Sequence, residues 1–196
     1  INKYISNQSI EHVLDIGTTD DDGFESSNYL IKNLRNIKIY RSISNQKINS
    51  KFFSKTLTKS ITDNFSHEEI ENYSSDLVIS NATIEHVGDK NSQIKMTENI
   101  IKLSKKIFVI TTPNRFYPFD FHTKIPLIHW LPKKIHRKFL KIVGLDFFSK
   151  EQNLDLLSYN DLKNLIKDIK NFDIRIKKIK FLGLTSNLII FGKKIT

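Results

Sequence analysis

With 196 residues, 39% hydrophobic content and 14 Phe, the chain has the size and composition of one globular domain, taken as residues 1–196, and not of a disordered tail. It has no Cys, which excludes disulfides and thiolate metal sites and fits a reducing, cytoplasmic compartment. No apolar stretch approaches the ~18 residues of a membrane span, and no signal peptide is visible.

The net charge of +10 admits two readings: an anionic partner, or the Ile, Lys and Asn bias of an A/T-rich genome. The lysines are spread over nearly every segment, as codon bias would spread them, with residues 133–141 as the exception. The chain begins at Ile1 and not at Met, as a fragment would.

In chain order, the pattern alternates. An apolar run predicts a first strand over 12–16, ending in Asp15-Ile16-Gly17. A helix is expected over 26–36, with Leu30, Ile31 and Leu34 on one face and Ser26 or Ser27 as N-cap. Strands two and three are expected over 37–42 and 51–57, then a short helix or turn over 67–72. A fourth strand, 76–81, precedes a helix over 91–104 with Ile94, Thr97, Ile101 and Ser104 on one face. The β-branched run 107–111 is strand five. Periodicity then lapses for about 45 residues and resumes at Ser158-x-x-Asp161, a capping-box form, followed by Leu162, Leu165, Ile166 and Ile169 at helical spacing. The runs 172–180 and 186–192 close the chain. Joined by Leu182-Gly183-Leu184, they must be antiparallel. Together this predicts an α/β, Rossmann-like, mostly parallel sheet with helices on both faces, a reversed last strand, and an insert after strand five.

In such sheets ligands bind beyond the carboxyl ends of the strands. A dinucleotide needs the G-x-G-x-x-G turn for its pyrophosphate. Here Gly17 is followed by Thr18, Thr19, Asp20, Asp21 and Asp22 before Gly23, and such a run of carboxylates repels phosphate. A phosphate-free cation such as S-adenosylmethionine (SAM) is compatible with that loop.

Val13-Leu14-Asp15-Ile16-Gly17 resembles the first motif of class I SAM-dependent methyltransferases. Residues 75–87, ending Asn81-Ala82-Thr83-Ile84-Glu85-His86-Val87, are similar to their fourth-strand motif. Ile107-Phe108-Val109-Ile110-Thr111-Thr112-Pro113-Asn114-Arg115 resembles the fifth-strand segment of a bacterial branch, in which an aromatic, His- and Pro-containing insert follows. The resemblance implies a seven-stranded sheet with its last strand antiparallel, and SAM as cofactor. It places Asp15 and Gly17 at the methionine part of SAM, with Thr18 and Thr19 extending the loop. Asn81 and Ala82 come near the sulfonium, and Ser42, Ser60 and Ile61 stand where strands two and three meet ribose and adenine. Each has a structural alternative: Asp15 capping a turn, Gly17 supplying a positive φ, Asn81 closing an Asx-turn. The chain departs from the family in lacking further glycines after Gly17, an acidic residue ending strand two, and one after strand three, where Lys59-Ser60-Ile61 stands. The loss of a ribose carboxylate implies about 10- to 100-fold weaker cofactor binding unless another group substitutes.

Methyl transfer is an in-line displacement that relies on alignment and, for some acceptors, a base. His86 is the first candidate base; His122 and His129 of the insert follow. Ion pairing of Glu85 with His86, and packing of His129, are the alternatives. No metal is expected, because His122, His129 and His136 are spaced by seven and lack a nearby carboxylate cluster. The insert, about 113–152, holds all 4 Pro and the only Trp, and it is where acceptor specificity is expected. Its basic amphipathic stretch 128–144 suits either an anionic membrane surface at the inner face or a lid over the cleft. Nucleic acid is disfavoured, since no recognised motif accompanies the aromatics. The function expected is methyl transfer to a small or carrier-linked metabolite, such as a saccharide or lipid intermediate. The alternatives are a noncatalytic methyltransferase-like domain and a peripheral membrane module.

Overall fold

The computed structural model describes residues 5, 9–21 and 28–195. Seven strands form one sheet: β1 (His12–Ile16), β2 (Ile39–Ser44), β3 (Lys55–Thr58), β4 (Ser75–Asn81), β5 (Ser104–Pro113), β6 (Phe172–Phe181) and β7 (Leu184–Lys194), in the order β3-β2-β1-β4-β5-β7-β6. The pairs β3–β2, β2–β1, β1–β4 and β4–β5 are parallel, and β7 is antiparallel to both β5 and β6. The order reverses direction at β1, so the first switch point lies between β1 and β4.

The helices are α1 (Tyr29–Lys32), α2 (His67–Tyr73), α3 (Lys90–Leu103), α4 (Lys133–Ile142), α5 (Asp146–Ser149) and α6 (Tyr159–Ile166). Successive strand residues face opposite sides, and this divides the core into two layers. Leu14, Ile16, Val78, Phe108 and Ile110 pack under Met96, Ile100 and Leu103 of α3 and Leu162 and Leu165 of α6. Val13, Leu77, Ile79, Ile107 and Val109 pack on the other face with Ile31 and Leu34. Phe108 lies where a Cβ on Gly192 would have to sit, so the glycine lets the ring close against β7.

Several expected boundaries move. Helix α1 is described only from Tyr29, and Ser26 and Ser27 lie outside the described residues. Strand β2 runs two residues further, to Ser44, and β3 is shorter and later than 51–57. Strand β5 begins directly at the end of α3 and is twice the expected length, because Ser104 pairs with Ser75 of β4 at its start and β7 pairs with it as far as Pro113. The buried face of α3 is Gln93, Met96, Thr97, Asn99, Ile100 and Leu103; Ile94 and Ile101 lie at its margin. Polar residues take core positions there by bonding to loops, a pattern that hydrophobic periodicity does not see. The capping box Ser158–Asp161 forms as read. The final hairpin turns through Leu182 and Gly183, both at positive φ, the geometry that lets a two-residue loop follow strand twist. The insert is not structureless: it holds a 3₁₀ turn (Ile128–Trp130), α4 and α5.

Candidate active site

A cavity of about 600 Å³ opens at the carboxyl ends of β1, β2, β3 and β4. Gly17, Thr18 and Thr19 form one wall, Ile43 to Gln46 a second, Lys59 to Ile61 a third, and Ala82, Thr83, His86 and Val87 a fourth. Phe147, Gln152 and Asn153 of the insert cover it. A smaller cavity of about 230 Å³ adjoins it across Gly17 and Thr19, lined also by Asp15, Asn28, Ile31 and Asn81.

Gly17 has φ +82°, and a Cβ there would collide with Thr83. The turn between the two cavities is therefore closed to any side chain. Thr83 itself is held by its hydroxyl, within reach of the Ile16 and Asn81 carbonyls. Asp15 is buried. Desolvation raises its carboxyl from the ordinary 3.8 to about 7, and the 2.7 Å hydrogen bond donated by Thr18 only partly offsets this. Asp20 anchors the acidic loop: Oδ1 accepts from the Asn49 and Ser50 amides and Oδ2 from the Asn49 side chain.

Of the sequence candidates, Gly17, Thr18, Thr19, Ser60, Ile61, Ala82 and His86 line the larger cavity, and Asp15 and Asn81 the smaller one. Ser42 is a correction. It is fully buried inside the sheet beside Asp15, its Oγ has no hydrogen-bonding partner, and it reaches neither cavity. The wall belongs to the two later residues of β2 and the turn after it. Ser44 is engaged, donating to the Thr18 carbonyl at 2.8 Å, and exposed Asn45 and Gln46 lie in the wall. Lys59, after β3, is neutralised by both Glu69 oxygens at 2.7 and 2.8 Å. Buried Asn99, which the sequence reading missed, clamps the third wall through the Ile61 and Asp63 carbonyls. Its apolar-looking helical position gave no signal for this.

The histidines separate. His86 lines the cavity and its Nδ1 donates to the Asn153 carbonyl at 2.7 Å. The His122 ring packs edge-on against His86, with centroids 4.9 Å apart. His129 is a correction. It is buried in the insert, Nε2 donates to the Tyr117 carbonyl, and its neighbour is His136, away from the cavity. It braces the fold of the insert. Burial pushes the His136 imidazole down to about 4.

Beside His86 and His122 lies Glu85, fully buried, with Oε2 accepting from Thr112 at 2.9 Å. Burial raises its carboxyl, and the nearby histidines and hydrogen bonds only moderate that. For His122 burial acts downward, but the hydrogen bond and charge of Asp120, with Glu85 behind, prevail and raise it. The sequence spacing that disfavoured a metal missed this grouping, because Glu85 and His122 meet only through the fold.

Within the insert, α4 packs with an inverted face. Inward-facing Lys133 and Arg137 pair with buried Asp155 at 2.7 and 2.8 Å, beside Leu140, while Ile135 and Ile142 face outward. The expected lid with its apolar side turned inward thus forms only in part: α4 docks through this charge pairing together with buried Leu140 and His136, while two of its isoleucines face solvent. Arg115 ties the loop before it to the His129 and Leu131 carbonyls.

No known family profile and no curated protein matches the sequence. Solved structures do match. The N-methyltransferase NodS from Bradyrhizobium japonicum WM9, in complex with S-adenosyl-L-homocysteine (SAH), aligns over 98% of this chain and 82% of its own at 10% identity and TM-score 0.56. The plantazolicin methyltransferase BamL, bound to a triazolic substrate analogue and SAH, aligns over 97% and 80% at 12% identity and TM-score 0.61. A Rhodobacter sphaeroides chain described as a putative Zn-dependent alcohol dehydrogenase aligns over 100% and 89% at 11% identity and TM-score 0.64, so the likeness speaks to architecture and not to activity. With the strand order 3-2-1-4-5-7-6, the reversed β7 and the glycine turn after β1, the chain has the fold of the class I SAM-dependent methyltransferases.

Proposed function

We propose that the chain is a SAM-dependent methyltransferase acting on a small or carrier-linked metabolite. The observation that carries this is the cavity itself: a space of about 600 Å³ at the strand ends, with a side-chain-free turn at Gly17 and a buried carboxyl beside it. Its volume is that of small-molecule and cofactor sites. The residues present fit SAM. An ammonium placed in the smaller cavity gives the desolvated Asp15 carboxyl the positive partner it lacks and holds it ionised. The adenosine then fills the larger cavity, between Ile43, Ile61 and Val87. The neutral amides of Asn45 and Gln46 take the ribose hydroxyls in place of a carboxylate, a weaker grip. When bound, SAM supplies the methyl group. The chain's own part is to align donor and acceptor and, through the insert residues Phe147, Gln152 and Asn153, to keep water out. Calorimetric titration with SAM and SAH tests this reading. One site per chain is expected, and the absence of both heat and thermal stabilisation at millimolar cofactor would leave a noncatalytic domain.

A second reading concerns where the protein works. Ile135 and Ile142 are 52% and 82% exposed on α4, flanked by exposed Lys134, Lys138 and Lys141, and Trp130 and Leu131 are exposed just before it. An exposed apolar stripe with lysines along its side suits the interface of an anionic membrane. No helix among the described residues is long and apolar enough to cross one. Flotation should follow vesicles containing anionic lipid and not neutral ones, and Ile135→Glu with Ile142→Glu should abolish it. Flotation that persists in the double variant would remove this surface from consideration.

A further inference from the structure

We propose that Glu85, His86 and His122 form a binding site for a divalent first-row transition-metal ion. Ligand atoms of the three residues lie within 4.8 Å of one another, among residues brought together from the β4 turn and from the insert. Three details of the surroundings point the same way.

First, Glu85 is fully buried, and its Oε1 has no hydrogen-bonding partner. It lies 3.9 Å from His122 Nε2, too far for a hydrogen bond. A desolvated carboxylate oxygen without a partner is costly unless something else meets it, and a cation is that something. Second, each imidazole is oriented through its other nitrogen. His86 Nδ1 donates to the Asn153 carbonyl at 2.7 Å, and His122 Nδ1 donates to Asp120 Oδ1 at 3.0 Å. Both rings are thereby set in the tautomer whose Nε2 carries the lone pair, which is how ligating histidines are held. Third, Asp120 is itself braced: its Oδ2 accepts from the Thr123 hydroxyl at 2.6 Å and its Oδ1 from the His122 amide at 3.1 Å.

Two imidazoles and one carboxylate match zinc sites with an open position and the sites of other borderline first-row ions; they do not match calcium or magnesium. Ligand atoms at about 2.0–2.2 Å from one ion in tetrahedral arrangement sit about 3.3–3.6 Å apart, so ion binding draws the three groups together from the present 4.8 Å spread. His86 also lines the larger cavity, so an open position on the ion would face it and accept an oxygen or nitrogen of the acceptor. That use rests on the methyltransferase reading; ion binding does not.

The test uses chelator-stripped protein without cofactor. Titration with Co²⁺ should give visible d–d absorption saturating at one ion per chain, and Zn²⁺ should displace it and raise Tm. Glu85→Gln, His86→Ala and His122→Ala should each weaken binding at least 100-fold, and Asp120→Asn about 10- to 100-fold through loss of the His122 brace. His67→Gln, on α2, should bind as the parent does. Circular dichroism identifies any variant that fails to fold, and exposed His86 supplies one whose removal leaves the core intact. Absence of Co²⁺ absorption and of a Zn²⁺ thermal shift in the folded parent would overturn the site, as would binding indifferent to His86→Ala and His122→Ala. Loss of SAM binding with metal binding intact would strike the function above and leave this site standing.

Discussion

Asp15 and Glu85 are two buried carboxyl groups beyond or at the ends of neighbouring strands, and they sit in differently built halves of the site. Asp15 belongs to a half assembled by the sheet alone. Its one side-chain donor, Thr18, is three residues away, and the cavities beside it are walled by strand ends. Glu85 belongs to a half completed by the insert. Its surroundings come from Thr112 at the end of β5, from His122, and from Asp155, whose amide donates to the Glu85 carbonyl at 2.7 Å. The same physical state, a desolvated carboxyl, thus arises once from local chain geometry and once from long-range packing. In the first half the desolvated carboxyl faces the smaller cavity. In the second it faces two imidazoles.

The comparison breaks most sharply at the glycine turn. Gly17→Ala forces a side chain into a positive φ and into Thr83, and should cost about 2–5 kcal/mol of stability while erasing any SAM-induced thermal shift. Thermal melts with and without cofactor check both parts. The insert half should fail separately. Asp155→Ala strips Lys133 and Arg137 of their buried partner and should destabilise by about 2–3 kcal/mol, discounted because both cations are partly exposed and Arg137 retains Glu151. Hydrogen exchange should rise across α4 and around residues 147–155 and stay unchanged in β1 and β2. Equal loss of protection in both halves would show that they are one cooperative unit.

The pH dependence sharpens the sheet half. Asp15 holds its proton more tightly when folded, at about 7, than when unfolded, at 3.8. The pH-dependent cost of its burial is therefore absent below about pH 4, grows as pH rises to about 7, and is level above that. Asp15→Asn should gain at least about 2 kcal/mol relative to the parent between pH 4 and pH 8, read from denaturant melts at the two pH values. A constant difference would mean that Asp15 titrates normally. The smallest effect tests the missing ribose acid. Asn45→Asp should tighten SAM by about fivefold, the gain from a charged acceptor over an amide, as measured by calorimetry.

Strand–helix alternation, the reversed final strand, the glycine turn and the capping box at Ser158 are all legible in the amino-acid order. Each of these rests on contacts within a few residues, where pleat, helical period and turn sterics leave little choice. That order located Asp15, Gly17 and His86 for the same reason, since a strand end points its loop toward the sheet edge. Only the tertiary structure decided that Ser42 lies inside the sheet while Asn45 and Gln46 face the cavity, because two further residues of β2 pair with β3. Only it decided that His129 braces the insert and that His122 meets Glu85. Those placements depend on how the insert folds back over β4, a packing among distant segments that no local period encodes. The inverted α4 has the same origin: its lysine and arginine turn inward because Asp155, far along the chain, is waiting buried beneath them.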